Sequence, residues 1–173
     1  YIEFKGKNEL FFRAGILQKT TKNILNLNFD FTIVLENPGD PNEVSDFLRL
    51  CWVFKLPLIL LGNNKDMNLV LDRAKRITKG IDYEKFQPEI KQELPKNIHF
   101  IGFTKLAVKN ELDLIKILTK PKLGLVFGNE KYGLSQSLRD KLDLYRLTPS
   151  TKKPLRASHA LSYVLGIYLA KRL

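Results

Sequence analysis

The stretch LGLVFGNEKYGLS, residues 123–135, constrains this chain more than any other. Five residues suited to a strand stop at Gly128-Asn129-Glu130, a second glycine follows at Gly133, and Ser135 has the chemistry of a helix N-cap. The reading is a strand, a backbone-exposing loop and a helix start. Glycines let backbone approach a ligand closely, Glu130 places a carboxylate beyond the strand, and a helix N-terminus offers free N–H groups. An ordinary β-turn-α connection shares the pattern, which by itself leaves a ligand open.

Strands and helices alternate around this stretch. FTIVLE, residues 31–36, predicts a strand that ends at the turn-rich Asn37-Pro38-Gly39-Asp40-Pro41. Val44, Phe47, Leu48, Cys51 and Phe54 then recur at helical spacing, with Arg49 off the stripe, where it is either a solvated charge or a group aimed at a ligand above the sheet. Pro57 stops that helix and residues 58–61 form a second strand. Met67, Val70, Leu71, Ala74 and Ile77 mark another helix, whose polar face carries Arg73, Lys75, Arg76 and Lys79. Residues 83–93 read as a short helical or irregular insertion, 98–103 as a third strand, and 108–118 as a helix with Leu112 and Ile115 inward. After the strand at 123–127 come a short helix from Ser135, a last strand at 144–147, and a C-terminal helix with Leu161, Val164, Leu165, Tyr168 and Leu169 buried. Such alternation predicts an α/β domain, a parallel sheet with helices on both faces, whose ligands bind beyond the carboxyl ends of the strands. The domain spans 31–173, and residues 1–30 form an N-terminal extension packed on the core or facing a partner.

Composition narrows the chemistry. One cysteine, Cys51, and two histidines, His99 and His159, exclude an internal disulfide and argue against a metal site. No apolar run approaches the roughly 20 residues of a membrane span, and the start YIEFKGKNEL lacks a signal-peptide core, so cytoplasm is the expected location. With 29 Lys+Arg against 18 Asp+Glu the formal net charge is +11, which suits a phosphate-rich partner, nucleic acid first, although Lys-rich proteins are also basic without binding any. Neither GxGxxG nor GxxxxGK[ST] occurs, which weakens a generic nucleotide-binding enzyme.

Three motifs resemble those of the SpoU-type, TrmH-like ribose 2′-O-methyltransferases of the SPOUT superfamily. They are IVLENPGDPNEVSDFLRLCWVF (33–54), LGLVFGNEKYGLS (123–135) and LTPSTKKPLRASHALSYVLGIYL (147–169), and the second is the specific one. The resemblance implies a C-terminal trefoil knot, S-adenosylmethionine as cofactor, no metal, RNA (tRNA or rRNA) as substrate, and a homodimer through the knot region and C-terminal helix. It puts Arg49, Glu130 and Ser158 at catalytic positions. Backbone around Phe127, Gly128, Gly133, Leu147, Pro149 and Ser158 would cradle the cofactor, and Lys152, Lys153 and Arg156 would contact RNA. The chain departs from the pattern where an asparagine is replaced by Glu43 and where serine-x-asparagine reads Ser158-His159-Ala160. Those departures keep a second reading open, a catalytically silent RNA-binding module on the same fold. His159 reads as a capping or partly buried polar residue, or as a substitute acid or base.

Overall fold

The structure, a computed structural model, describes residues 29–147 and 155–172. Most of the expected N-terminal extension, together with Pro149, Lys152 and Lys153, lies outside the described residues. So does part of the passage in which the knot is expected.

Six strands form one parallel sheet in the order β3-β2-β1-β5-β4-β6. They are β1 (Phe31–Glu36), β2 (Leu58–Leu61), β3 (Glu89–Lys91), β4 (His99–Phe103), β5 (Leu123–Phe127) and β6 (Asp143–Tyr145). β1 pairs with β2 on one side and β5 on the other, with Leu35 opposite Phe127. The chain winds outward from β1 through β2 to β3, then crosses to fill the other half. The switch therefore falls between the carboxyl ends of β1 and β5, where a doubly wound sheet opens a crevice.

The connecting helices are α1 (Pro41–Phe54), α2 (Asn64–Ile77), α3 (Glu111–Ile117), α4 (Gln136–Arg139) and α5 (Ala157–Arg172). Local chemistry starts each of the first four. Asp40 accepts the Asn42 N–H at 2.9 Å with Pro41 in the first turn, Asn63 accepts from Lys65, Asn110 and Asp113 close a capping box, and Ser135 accepts from Leu138. Each such cap contributes about 1 kcal/mol. β1 and β5 are buried on both faces, as their continuous apolar runs require.

The two faces are covered unequally. Ile33, Leu35, Leu58, Leu60, Leu125 and Phe127 pack under α1, α2, α3 and α5 in the main core. Val34, Ile59, Phe100 and Val126 on the opposite face meet Leu134 and Leu138, from the short α4 and the loop before it.

Several sequence expectations need correction. The segment read as an insertion holds β3, an edge strand of three residues that accepts the Gly62 N–H at Lys91 O. It is too short and too exposed to show alternation, and Pro88 sits just before it, where an edge strand loses nothing. α3 turns Leu114 and Ile117 inward, leaving Leu112 70% exposed. Both pairs satisfy the same i, i+3 spacing, and docking on the sheet selects one. Ile77 is exposed at the last residue of α2, and β6 begins one residue before the predicted strand and ends two residues short of it.

Candidate active site

Residues 128–135 fold back on themselves beyond β5. The Gly133 N–H donates to Asn129 O at 2.6 Å, and the two residues form an isolated bridge. This closure brings the backbone of Gly133 and Leu134 against the Gly128 Cα, where any Cβ would overlap it. Gly133 adopts a φ of +71°, a left-handed conformation that favours glycine, and its Cα faces open space. Asn129 organises the turn, accepting the Lys131 and Tyr132 N–H groups and donating its amide to Asn37 O at 2.7 Å.

Two buried carboxylates then pin the loop to the first strand and helix. Glu36, 5% exposed at the end of β1, accepts the Ser135 N–H through Oε2 at 2.8 Å. Glu43, 4% exposed in the first turn of α1, accepts the Glu130 N–H through Oε1 at 2.9 Å. The surroundings of Glu43 are hostile to charge. Burial dominates, Glu130, Asp40 and Asp46 add repulsion, and the hydrogen bond from Glu130 only partly offsets them, pushing its pKa up to about 7. Glu43 is thus a carboxyl that changes charge near neutrality.

The loop forms one wall of a cleft of about 230 Å³. Phe127 and Phe103 stack at 4.8 Å beneath it, and Leu106, Leu155 and Ala160 line the other side. The half-buried Phe103, exposed loop backbone and a carboxylate at the rim suit a ligand with an aromatic part and a cationic part. The residues therefore fit S-adenosylmethionine, whose adenine is planar and whose sulfonium is positive.

The predicted site residues divide. Phe127, Gly128, Gly133, Leu147 and Glu130 all line this cleft. Arg156 pairs with Glu130, Nε to Oε1 at 3.0 Å, so its nearest described partner is the site carboxylate. Ser158 sits behind the cleft wall, donating from Oγ to Asp46 at 3.1 Å, while its neighbours Ala157 and Ala160 line the cleft. Arg49 lies apart, exposed on α1, with Nη2 donating to Lys79 O at 2.7 Å. His159 is exposed at the start of α5.

Sequence reasoning passed over Glu36, Asp46, Asn129 and Phe103. A carboxylate ending an otherwise apolar strand was the one available signal for Glu36. Asp46 and Phe103 acquire their roles only through contacts far along the chain, and Asn129 adds its bond to Asn37 O to its local turn bonds. Among the described residues no cluster of His, Cys, Asp and Glu could hold a metal, and no helix is long and apolar enough to cross a membrane.

A parallel sheet with a pinned glycine loop at its switch point defines an α/β protein that binds a ligand above the strand ends. The particular family follows from the sequence model: the chain belongs to the SpoU rRNA Methylase family, whose model matches residues 30–154. No curated protein matches the sequence at significance. Solved structures share the fold at low identity. A protein studied for 2-OH methylation of C/U34 on tRNA superposes with a TM-score of 0.66 at 17% identity, covering 79% of this chain and 91% of that one. The SpoU methyltransferase AviRb from Streptomyces viridochromogenes, solved with AdoMet, gives 0.62 at 20% identity, covering 84% of this chain and 59% of its own length. TrmJ from Z. mobilis ZM4 gives 0.56 at 16% identity, covering 80% and 67%.

Proposed function

We propose that this protein transfers a methyl group from S-adenosylmethionine to a ribose 2′-hydroxyl of RNA, either tRNA or rRNA. The observation that carries the reading is the loop at the β1/β5 switch point, folded around Gly128, pinned by Glu36 and Glu43, and walling a cleft with Glu130 at its rim. Family membership supports the same chemistry.

S-adenosylmethionine, when bound, supplies an electrophilic methyl on a sulfonium. The residues of the chain then have three tasks. Loop backbone from Phe127 to Gly133, with Leu147, would hold the cofactor. Glu130 places negative charge at the rim, held in position by its own N–H on Glu43 and by Arg156. A ribose hydroxyl must lose its proton as it attacks, so a group that accepts or weakens that proton belongs within hydrogen-bond reach. A guanidinium is protonated at neutral pH, so Arg49, which lies apart from the described cleft, would serve the substrate by orientation and electrostatics rather than as a base.

Homodimerisation through α5 is part of the proposal, supported by the half-exposed Tyr163 and Ile167 beside its buried stripe. Cytoplasmic location, RNA contacts by Lys152, Lys153 and Arg156, and the knot belong to it as well. Glu43 and Ala160, at positions where the resembling motifs carry asparagine, favour the second reading, a module that binds cofactor or RNA without turnover.

Calorimetric titration with S-adenosylmethionine, beside transfer of labelled methyl to bulk tRNA and rRNA, separates the two. The enzyme reading expects binding with transfer, lost in Arg49→Ala and Glu130→Ala while cofactor binding persists in Arg49→Ala. Binding without transfer to any RNA selects the silent module.

A further inference from the structure

Among the described residues five cations pair with carboxylates, and the others, Lys55, Lys105 and Lys141 among them, form no ion pair. Lys85, Lys91, Lys109, Lys116 and Arg156 each pair with a carboxylate at 3.2 Å or less. The end of α2 stands out by the density of its cations. Residues 73–79 contain Arg73, Lys75, Arg76 and Lys79 and no acidic residue. Arg73, Arg76 and Lys79 are exposed, and none of them forms an ion pair with a described residue. The nearest carboxylate in the chain is Asp72, one residue before the run. Lys75 leans over the Tyr83 ring at 5.3 Å.

A solvated helix face with cations complementing the C-terminal dipole explains Lys75 and Arg76. It does not explain the extra positions. Lys79 lies beyond the helix, Arg73 lies a turn before its end, and Arg49 joins the same surface from a different helix through its bond to Lys79 O. That surface is also tied to the active site. The Thr78 and Ser45 hydroxyls share a hydrogen bond of 2.6 Å, and Ser45 is two residues from Glu43 on α1. Arg49 is six residues from Glu43, about 9 Å along the helix. A run of unpaired cations is therefore anchored, through α1, at a fixed offset from the Glu130 loop.

We propose that the end of α2, through Arg73, Arg76 and Lys79 with Arg49 beside them, is a docking surface for the phosphate backbone of the substrate RNA. The inference rests on the RNA methyltransferase reading and adds where the polymer lies. Phosphate contacts of this kind position a nucleic acid without reading its sequence. They let one strand bridge from α2 to the cleft, with the target ribose at the Glu130 rim.

The test compares two charge-matched triple variants of the full chain. One is Arg73→Gln, Arg76→Gln, Lys79→Gln, and the other is Lys85→Gln, Lys91→Gln, Lys116→Gln, which removes three paired cations elsewhere. Affinity for bulk tRNA and for bulk rRNA is measured across salt concentrations, with calorimetric S-adenosylmethionine binding as the check on folding. The α2 variant is expected to bind RNA at least tenfold more weakly at low salt, with the slope of log affinity against log salt reduced by about 2 to 3. The paired variant is expected to change that slope by less than about 1. Equal losses in the two variants, or an α2 variant that binds RNA like the parent, would overturn the docking surface alone. A parent chain that binds S-adenosylmethionine but no RNA would remove the functional reading and this surface with it. Loss of binding to anionic phosphatidylserine vesicles in the α2 variant, with RNA affinity intact, would reassign the surface to a membrane and also overturn it.

Discussion

The two walls of the cleft are built by different physics. The wall at 128–135 is held by backbone: one close glycine approach, an internal N–H to carbonyl bond, and two N–H groups ending on buried carboxylates. The facing wall, from residues 103–106 and the start of α5, meets it through an exposed ion pair between Arg156 and Glu130, while Ser158 ties α5 to Asp46 on α1. Buried hydrogen bonds to ionised or ionisable groups are costly to lose, whereas an exposed ion pair is screened by water. The first wall is a fixed template. The second is held by a weaker, solvent-screened contact.

Substitutions that attack the fixed wall sharpen the contrast most. Gly128→Ala drives a methyl into the Gly133–Leu134 backbone, which nothing flexible can relieve. Its expected cost is about 3 kcal/mol of stability, with cofactor binding abolished, as thermal unfolding and calorimetry would record. Glu36→Ala strands the Ser135 N–H and loosens the start of α4, with an expected loss of about 2 kcal/mol in denaturant unfolding.

Glu43 gives the contrast a pH dependence. Its folded pKa, raised to about 7 from an ordinary value of 4.5, means the folded state holds a proton more tightly than the unfolded chain. Its contribution to stability is full below about 4.5, falls as pH rises toward 7, and is constant above. Glu43→Gln keeps an oxygen for the Glu130 N–H and removes the charge. Relative to the parent the variant should gain about 1–2 kcal/mol between pH 5 and pH 8, less than full conversion of the shift because Glu130 beside it is open to solvent. A pH-independent difference between the two proteins would contradict this assignment. The smallest effect belongs to the second wall: Arg156→Ala should cost less than about 1 kcal/mol at any pH, with RNA or cofactor affinity changing more than stability does.

Much of the fold was legible because its signals are local. β1, β2 and β5 were read with correct boundaries, since Pro57, the 37–41 turn and Gly128 punctuate apolar runs. The helix N-terminus at Ser135 was equally plain from its cap. β3 was missed because three residues are too few to show a period, and α3 was turned to the wrong face because Leu112/Ile115 and Leu114/Ile117 are equivalent until something docks. At the site, Phe127, Gly128, Glu130, Gly133 and Leu147 line one cleft. What pins them was hidden: Glu43 meets Glu130 and Glu36 meets Ser135 at separations of 87 and 99 residues, and no local pattern reports a contact of that range. Glu43 looked like a lapse from a motif, yet it is a buried partner of the loop. Arg49 is the converse case, prominent in the motif but bonded to Lys79 O rather than placed in the described cleft.

The most direct measurement is to incubate the protein with S-adenosylmethionine carrying a labelled methyl and bulk tRNA or rRNA, digest the RNA to nucleosides, and locate the label. The account predicts label on a 2′-O-methylribose, absent from Glu130→Ala. Label on a base, or none on RNA despite bound cofactor, would contradict it.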